Sequence, residues 1–267
     1  EGREFNVRCL NAQGDMTTLT SIMTSIRAER PDLIMTISTS TLQAALRQAG
    51  KLPVVFACVA DAICAGAGKS ETDHVPNVTG ITTLSPFAPM ARLIRMSVPN
   101  VRAVGTLFSP GEVNAEHNRK WFAEALGKEG LKLVSVPINN SAETAEATSV
   151  MLRSGIQVVC QIMDNTARPA FAQIAKRARD AGLPFFSFDS SGIKEGATLA
   201  LGRDYYFSGV EASEVAVRVL RGANPAQIPI TNTRTEIVAL NPDLIKKYGI
   251  VLPPEYLKRA QAAKTEE

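Results

Sequence analysis

The sequence predicts an α/β protein of two lobes, each a parallel sheet covered by helices. Three observations predict it. Short apolar runs alternate with segments of helical period along most of the chain, the order that parallel strands and crossover helices produce. The strand-like runs are apolar throughout, as in strands buried on both faces. Their number, about nine, strains a single twisted open sheet and favours two.

The elements follow in order. Asp15 caps a helix with Leu19, Ile22, Met23 and Ile26 on one face, and Pro31 ends it near Glu29. Residues 33–37 (LIMTI) form a strand, followed by a helix that Gly50 closes. Pro53 opens a strand at 54–59, and residues 77–82 (NVTGIT) form another. Pro86 starts a helix with Met90, Leu93, Ile94 and Ser97 in register. Strands near 101–108, 131–136, 156–163 and 184–188 then alternate with helices near 114–127, 142–153 and 168–181. A last clear helix, about 208–221, aligns Ala212, Val215, Ala216 and Val219.

Three short stretches read as crossings between the lobes: TTLSPFAP (82–89), GRDYYFSG (202–209) and IPITNTRTEI (228–237). They divide the chain into a first lobe of 1–84 plus 204–231 and a second of 85–203 plus 232–267. There is no low-complexity linker and no short-period repeat.

Composition narrows the function. The 267 residues are 45% apolar and 21% charged, ordinary for a globular chain. The net charge of +3 is spread without a basic block, which argues against nucleic acid. No run of 18 apolar residues would span a membrane. Cys9, Cys58 and Cys160 lie in apolar, strand-like runs and read as packed thiols; Cys58 and Cys64 could also pair. Without a C-x-x-C or a nearby histidine, no metal site is expected. His74 and His117 fall in polar stretches and read as exposed. No dinucleotide fingerprint, P-loop or nucleophile elbow is present, so no cofactor and no enzyme activity are expected.

The strand exits carry the candidate site. Ligands of open α/β sheets sit beyond the carboxyl ends of the strands, where helix N-termini offer unpaired amides and a partial positive charge. The strand 33–37 ends in four hydroxyl residues, Ser38, Thr39, Ser40 and Thr41, which suit a small carboxylate or phosphate. The other strands exit into Asp61, into Ser109, Glu112 and Asn114, into Asp164, Asn165 and Thr166, and into Asp189. Each alone also fits a helix cap. Together they line a cleft. Asp164 or Asp189 is the candidate for a ligand ammonium, whose burial needs an acid or several acceptors. Phe87, Tyr205 and Tyr206 lie near the crossings, as lining or as packing.

The segments RPDLIMTISTSTLQAAL, PVVFACVAD, NVTGIT, DNTARPAF, PFFSFDSSGIKEGATLALGRDYYFSGVEASEVAVRVLRGANPAQIPI and ALNPDLIKKYGIVLPPEYL occur in that order. Together they resemble the ABC-transporter substrate-binding protein family that includes tryptophan- and tyrosine-binding lipoproteins. The resemblance covers nearly the whole chain and is most specific from Asp164 to Leu257. It implies a type I periplasmic-binding-protein fold with three hinge crossings. It also implies a small carboxylated ligand such as an aromatic amino acid, ABC permease subunits as partners, and a periplasmic or lipid-anchored place outside the cytoplasm. A monomer is expected. Asp61-Ala62 stands where the family usually has Asp-Pro. The family's first strand and helix normally precede the segment EGREFNVRCLNAQGD, so roughly 30–45 further residues are expected upstream, about one βα unit and a leader. Two other readings stand beside it: the same fold as a ligand-sensing domain coupled to a signalling partner, and a two-lobed α/β enzyme of racemase type with Cys58 and Cys160 as its acid and base.

Overall fold

The computed structural model describes residues 5–263, with side chains described through 260. Nine α-helices and ten strands are described: α1 (Met16–Glu29), β1 (Ile34–Ile37), α2 (Thr39–Gln48), β2 (Val54–Val59), β3 (Val78–Thr82), α3 (Phe87–Ser97), β4 (Ala103–Phe108), α4 (Val113–Lys128), β5 (Lys132–Pro137), α5 (Thr144–Leu152), β6 (Val158–Gln161), α6 (Phe171–Asp180), β7 (Phe185–Ser187), β8 (Leu199–Arg203), α7 (Tyr205–Leu220), β9 (Thr231–Asn232), β10 (Glu236–Leu240), α8 (Pro242–Lys247) and α9 (Pro254–Ala263).

The strands form two sheets, in the orders β1-β2-β3-β9 and β10-β8-β7-β6-β4-β5. Every pairing is parallel except β10 with β8. Helices flank both sheets, giving the type I periplasmic-binding-protein architecture. Local signals set the elements. The Asp15 carboxylate accepts the Thr18 amide at 2.6 Å and starts α1. β2, VVFACV, is almost wholly buried because helices cover both of its faces.

On one face of the first sheet, Leu42 of α2 and Leu19 and Met23 of α1 pack with Phe56 and Val59. On the other, Ala212, Val215, Ala216 and Val219 of α7 cover Val55, Ala57 and Ile81. The second sheet is filled the same way. Leu93, Ile94, Phe122 and Leu126 pack on one face, and Met151, Phe171 and Ile174 on the other. Each such side chain contributes about 1.5–3 kcal/mol on full burial. Gly80 lets β2 and β3 come together, since a Cβ there would stand 2.3 Å from the Phe56 carbonyl oxygen.

Several expectations are corrected. The strand 33–37 is not buried on both faces: Met35 is 49% and Ile37 67% exposed. β1 is the outermost strand of its sheet. Residues 5–12 form no strand, and Cys9 is exposed rather than packed. Cys58 and Cys64 are half-buried free thiols, so only Cys160 is a fully packed one. His74 is half-buried, its ring nitrogens 3.2 Å from the Val75 carbonyl and 3.1 Å from that of Ile228. His117 is half-buried against Trp121. The helix expected at 208–221 begins at Tyr205, because Asp204 accepts the Tyr206 and Phe207 amides at 2.8 and 3.1 Å. No described helix is long and apolar enough to cross a membrane.

Candidate functional site

The chain passes between the two sheets three times, and each passage lies at the carboxyl ends of the parallel strands. β3 ends at Thr82 and four residues lead to α3, which packs on the second sheet. β8 ends at Arg203, and only Asp204 separates it from α7 on the first sheet. β9 ends at Asn232 and leads to β10, whose first residue, Glu236, pairs with Arg203. The passages are bonded to one another. Leu84 donates its amide to the Asn232 side chain at 2.9 Å. Thr233 donates its amide to the Thr82 carbonyl at 2.8 Å, and Asp204 its amide to the Thr235 carbonyl at 3.1 Å. Arg203 Nε reaches the Leu84 carbonyl at 3.2 Å. The strand exits of the two sheets therefore converge on one region, where ligands of open sheets bind.

On the first sheet that region holds Ser38, at φ 87° and ψ 160°, where residues other than glycine are rare. α2 starts directly after it. Thr41 turns its hydroxyl back to the carbonyls of Ile37 and Ser38, the latter at 2.8 Å. Thr39 is buried and Ser40 half-buried. Among the described residues, no hydrogen bond is made by the hydroxyl of Ser38 or Ser40, and none caps the first amides of α2 from a side chain. Asp61 is spent on its own turn, accepting the Cys64 amide at 2.9 Å.

On the second sheet the predicted residues come together in three groups. Asp164 accepts the amide and hydroxyl of Ser109 at 2.6 and 3.0 Å and the Ala167 amide at 2.8 Å. Burial, and then the nearby Glu112, push its carboxyl up to about 6. Glu112 receives five donors: the Asn114 side chain, and the backbone and side chain of both Asn165 and Thr166, at 2.7 to 3.1 Å. Asp189 accepts the amide and hydroxyl of Ser191 at 2.9 and 2.8 Å and meets Arg168 Nε at 2.6 Å.

Arg168 was not anticipated. Its guanidinium also bonds Glu195 twice, at 2.9 Å, and the Ser191 hydroxyl at 2.7 Å, while lying over the Phe171 ring. Burial disfavours its charge, yet Glu195 and Asp189 hold its pKa above the ordinary arginine value. The acids of this wall thus each accept bonds from neighbouring donors, whereas the hydroxyls of Ser38 and Ser40 on the first sheet do not take part in any described bond.

The ABC transporter substrate binding protein family profile matches residues 1–264. The chain belongs to that family. This substrate-binding protein is 27% identical over 246 residues to the tyrosine-binding protein of Clostridioides difficile (strain R20291), covering 92% of this chain and 71% of that one. It is 26% identical, with a TM-score of 0.88, to the ABC domain from Streptococcus pneumonia in complex with L-Trp, covering 94% and 85%. At the same 26% identity the TM-score falls to 0.71 against the ligand-free, open structure of a substrate-binding protein with adhesive properties from Clostridium difficile, covering 95% and 86%. Substrate-binding proteins of ABC transporters work outside the cytoplasm, with a small-molecule ligand and permease partners.

In this substrate-binding protein Tyr205 opens α7 at the second passage, directly after Asp204. It is half-buried, and burial raises its phenol, as do Cys58 and Asp189, against a bond to Thr83 that lowers it. Cys58 sits at a register shift in β2 with φ 55°. The pairing of Cys58 with Cys160 as acid and base is not assembled. Cys160 is in the core of the second sheet, Cys58 packs at the first, and burial raises both thiols. Among the described residues no three or more His, Cys, Asp or Glu gather to hold a metal.

Proposed function

We propose that this substrate-binding protein captures an amino acid, most favourably an aromatic one, between lobes 1–84 plus 204–231 and 85–203 plus 232–267, and delivers it as a monomer to an ABC importer. It works in the periplasm or on a lipid anchor. The observation that carries the reading is the convergence of both sets of strand exits on three mutually bonded passages. The ligand carboxylate is taken by the Ser38–Thr41 cluster, through the hydroxyls of Ser38 and Ser40 and the uncapped amides of Thr39, Ser40 and Thr41 that open α2, as hydrogen bonds to a charged group. Asp164 or Asp189 faces the ammonium, with Asn165 and Thr166 adding neutral bonds; Asp61, Ser109, Glu112 and Asn114 complete the lining. The ligand's charges are then divided between lobes, so closure and binding favour one another. Tyrosine and tryptophan, named for the two relatives, support the aromatic class. The closer match to the L-Trp complex than to the open structure, at equal identity, supports a closed arrangement of these lobes.

Calorimetric titration with tyrosine, tryptophan and their deaminated analogues tests this. The amino acids should bind tighter than the analogues, and a ligand at 100 times its Kd should raise stability by about 2.7 kcal/mol. Asp164→Asn or Asp189→Asn should shrink that preference. If the parent chain prefers the analogues, the ligand class is wrong. If neither substitution alters the preference, the ammonium assignment is wrong.

A further inference from the structure

The second sheet carries a cavity of about 630 Å³ far from the passages. Arg95, Asn100, Arg102, Glu129 and Gln157 are among its walls. A smaller cavity of about 260 Å³ shares Gln157 with it and is walled by Val98, Pro99, Leu183, Pro184, Tyr248 and Ile250. Arg102, Gln157 and Pro184 directly precede β4, β6 and β7, so both cavities open at the amino ends of the strands, the pole opposite the candidate cleft.

The chemistry of the two halves differs. Glu129 is met by Arg92 at 3.8 Å. Among the described residues, no ion pair is made by the guanidinium of Arg95 or Arg102. Arg95 lies in the last turn of α3, where a cation also offsets the helix dipole. Arg102 lies outside any helix, so no dipole accounts for it. Its backbone is held in place: the Gln157 side-chain oxygen accepts the Arg102 and Ala103 amides at 2.9 and 3.0 Å, and the Gln157 amide is fixed on the Gly155 carbonyl at 2.7 Å. The side chains that line the smaller cavity are apolar apart from Gln157 and the Tyr248 hydroxyl. An arginine pair suits the paired oxygens of a phosphate or carboxylate, and the adjoining slot suits an apolar substituent.

We propose that this double cavity is a second binding site, separate from the solute cleft, for a phosphate monoester or diester bearing an apolar group. Arg95 and Arg102 hold the oxyanion, and the Leu183–Tyr248 slot holds the substituent. The same chemistry is found in free organic phosphates and in anionic lipid headgroups.

The test is calorimetry of the full chain with inorganic phosphate and phenyl phosphate, alongside cosedimentation with vesicles of phosphatidylglycerol or phosphatidylcholine. Phenyl phosphate should bind more tightly than inorganic phosphate, and Arg95→Gln with Arg102→Gln should weaken it about tenfold or more. Tyr248→Ala should remove the advantage of the phenyl group and leave inorganic phosphate unchanged. Binding to phosphatidylglycerol but not phosphatidylcholine, lost in the double arginine variant, assigns the site to a lipid headgroup; phenyl phosphate binding without vesicle binding assigns it to a free organic phosphate. Binding undiminished in the arginine variants, or no binding of either phosphate or of phosphatidylglycerol, overturns the proposal. Both arginines are exposed, and melting curves confirm that the variants fold; Arg102→Gln alone serves if the double variant melts early.

Discussion

Asp164 and Ser109, 55 residues apart, are joined by two hydrogen bonds, from the Ser109 amide at 2.6 Å and its hydroxyl at 3.0 Å. They tie the exit of β4 to that of its neighbour β6 and place an acid where water is scarce. Because burial and Glu112 push the Asp164 carboxyl up to about 6, the fold holds this proton more tightly than the unfolded chain does. A carboxyl raised in the folded state destabilises the fold as pH rises from the unfolded value, near 4, through about 6, and the loss is constant above that. Asp164→Asn should remove this slope. Urea titrations across that range should show the parent losing up to about 3 kcal/mol more than the variant. Parallel pH profiles would show that Asp164 is ordinary.

Ser38 occupies backbone angles that glycine alone adopts readily. Ser38→Gly should therefore stabilise the free protein by about 1–3 kcal/mol. It should also weaken solute binding by about 0.5–1.5 kcal/mol through the lost hydroxyl. Chemical denaturation and calorimetry read the two effects separately. A less stable glycine variant would mean that the serine side chain supports the turn.

Ser40 and Thr41 separate binding from helix initiation. The Ser40 hydroxyl has no described partner, whereas Thr41 is bonded to the carbonyls of Ile37 and Ser38. The double alanine variant should lose about 1–3 kcal/mol of solute binding. Ser40→Ala alone should keep the parent's melting temperature. Unchanged affinity with the fold intact would remove the hydroxyls from the site.

Arg168 neutralises two acids, Asp189 at 2.6 Å and Glu195 at 2.9 Å. Arg168→Ala leaves both without their cation and should cost about 1–3 kcal/mol of stability, moderated by the partial exposure of the pair. Adding Asp189→Asn should recover part of that loss. Additive costs in the double-mutant cycle would show that the pair is not coupled.

Gly202 lies against β7's exit: a Cβ there would stand 1.8 Å from the Phe188 carbonyl oxygen. Gly202→Ala should cost more than about 3 kcal/mol, because the obstacle is backbone and cannot rotate away. Urea denaturation measures it. A near-neutral alanine would mean that β8 shifts freely.

The elements most legible in the sequence were those whose residues announce both burial and boundary. Asp15, Pro53 and Pro86 marked starts, and apolar runs such as 54–59 marked buried strands. The β10 strand, antiparallel at the sheet edge, was missed because its start, Glu236 and Ile237, falls in the stretch 228–237 read as a crossing, which leaves only Val238, Ala239 and Leu240 as a short apolar run. Cys9 was misread because an apolar neighbourhood in sequence does not supply a strand partner. At the site, Ser38 and the strand-end acids were visible as residue types. Their engagement was not: the Arg168–Asp189 pair joins residues 21 apart, and the five donors to Glu112 come from the first turn of α4 and from the loop after β6. Tyr205, next to the capping Asp204, lies inside a stretch read as a crossing, and that cap carries the helix back to it.

The bonds among Thr82, Leu84, Arg203, Asn232 and Thr233 gather the three passages along one side of the molecule. Relative motion of the two sheets is then a swing about that side, and displacement grows with distance from it as along a lever. Tyr205 and Thr83, beside the pivot, travel least. In the proposed cleft they would form a stationary inner wall, while the outer rim sweeps the greatest arc. Under the proposed function a solute would then be measured for length as well as for charge: one too long for the inner wall would prop the lever open at its far end, where a small misfit near the pivot becomes a wide gap.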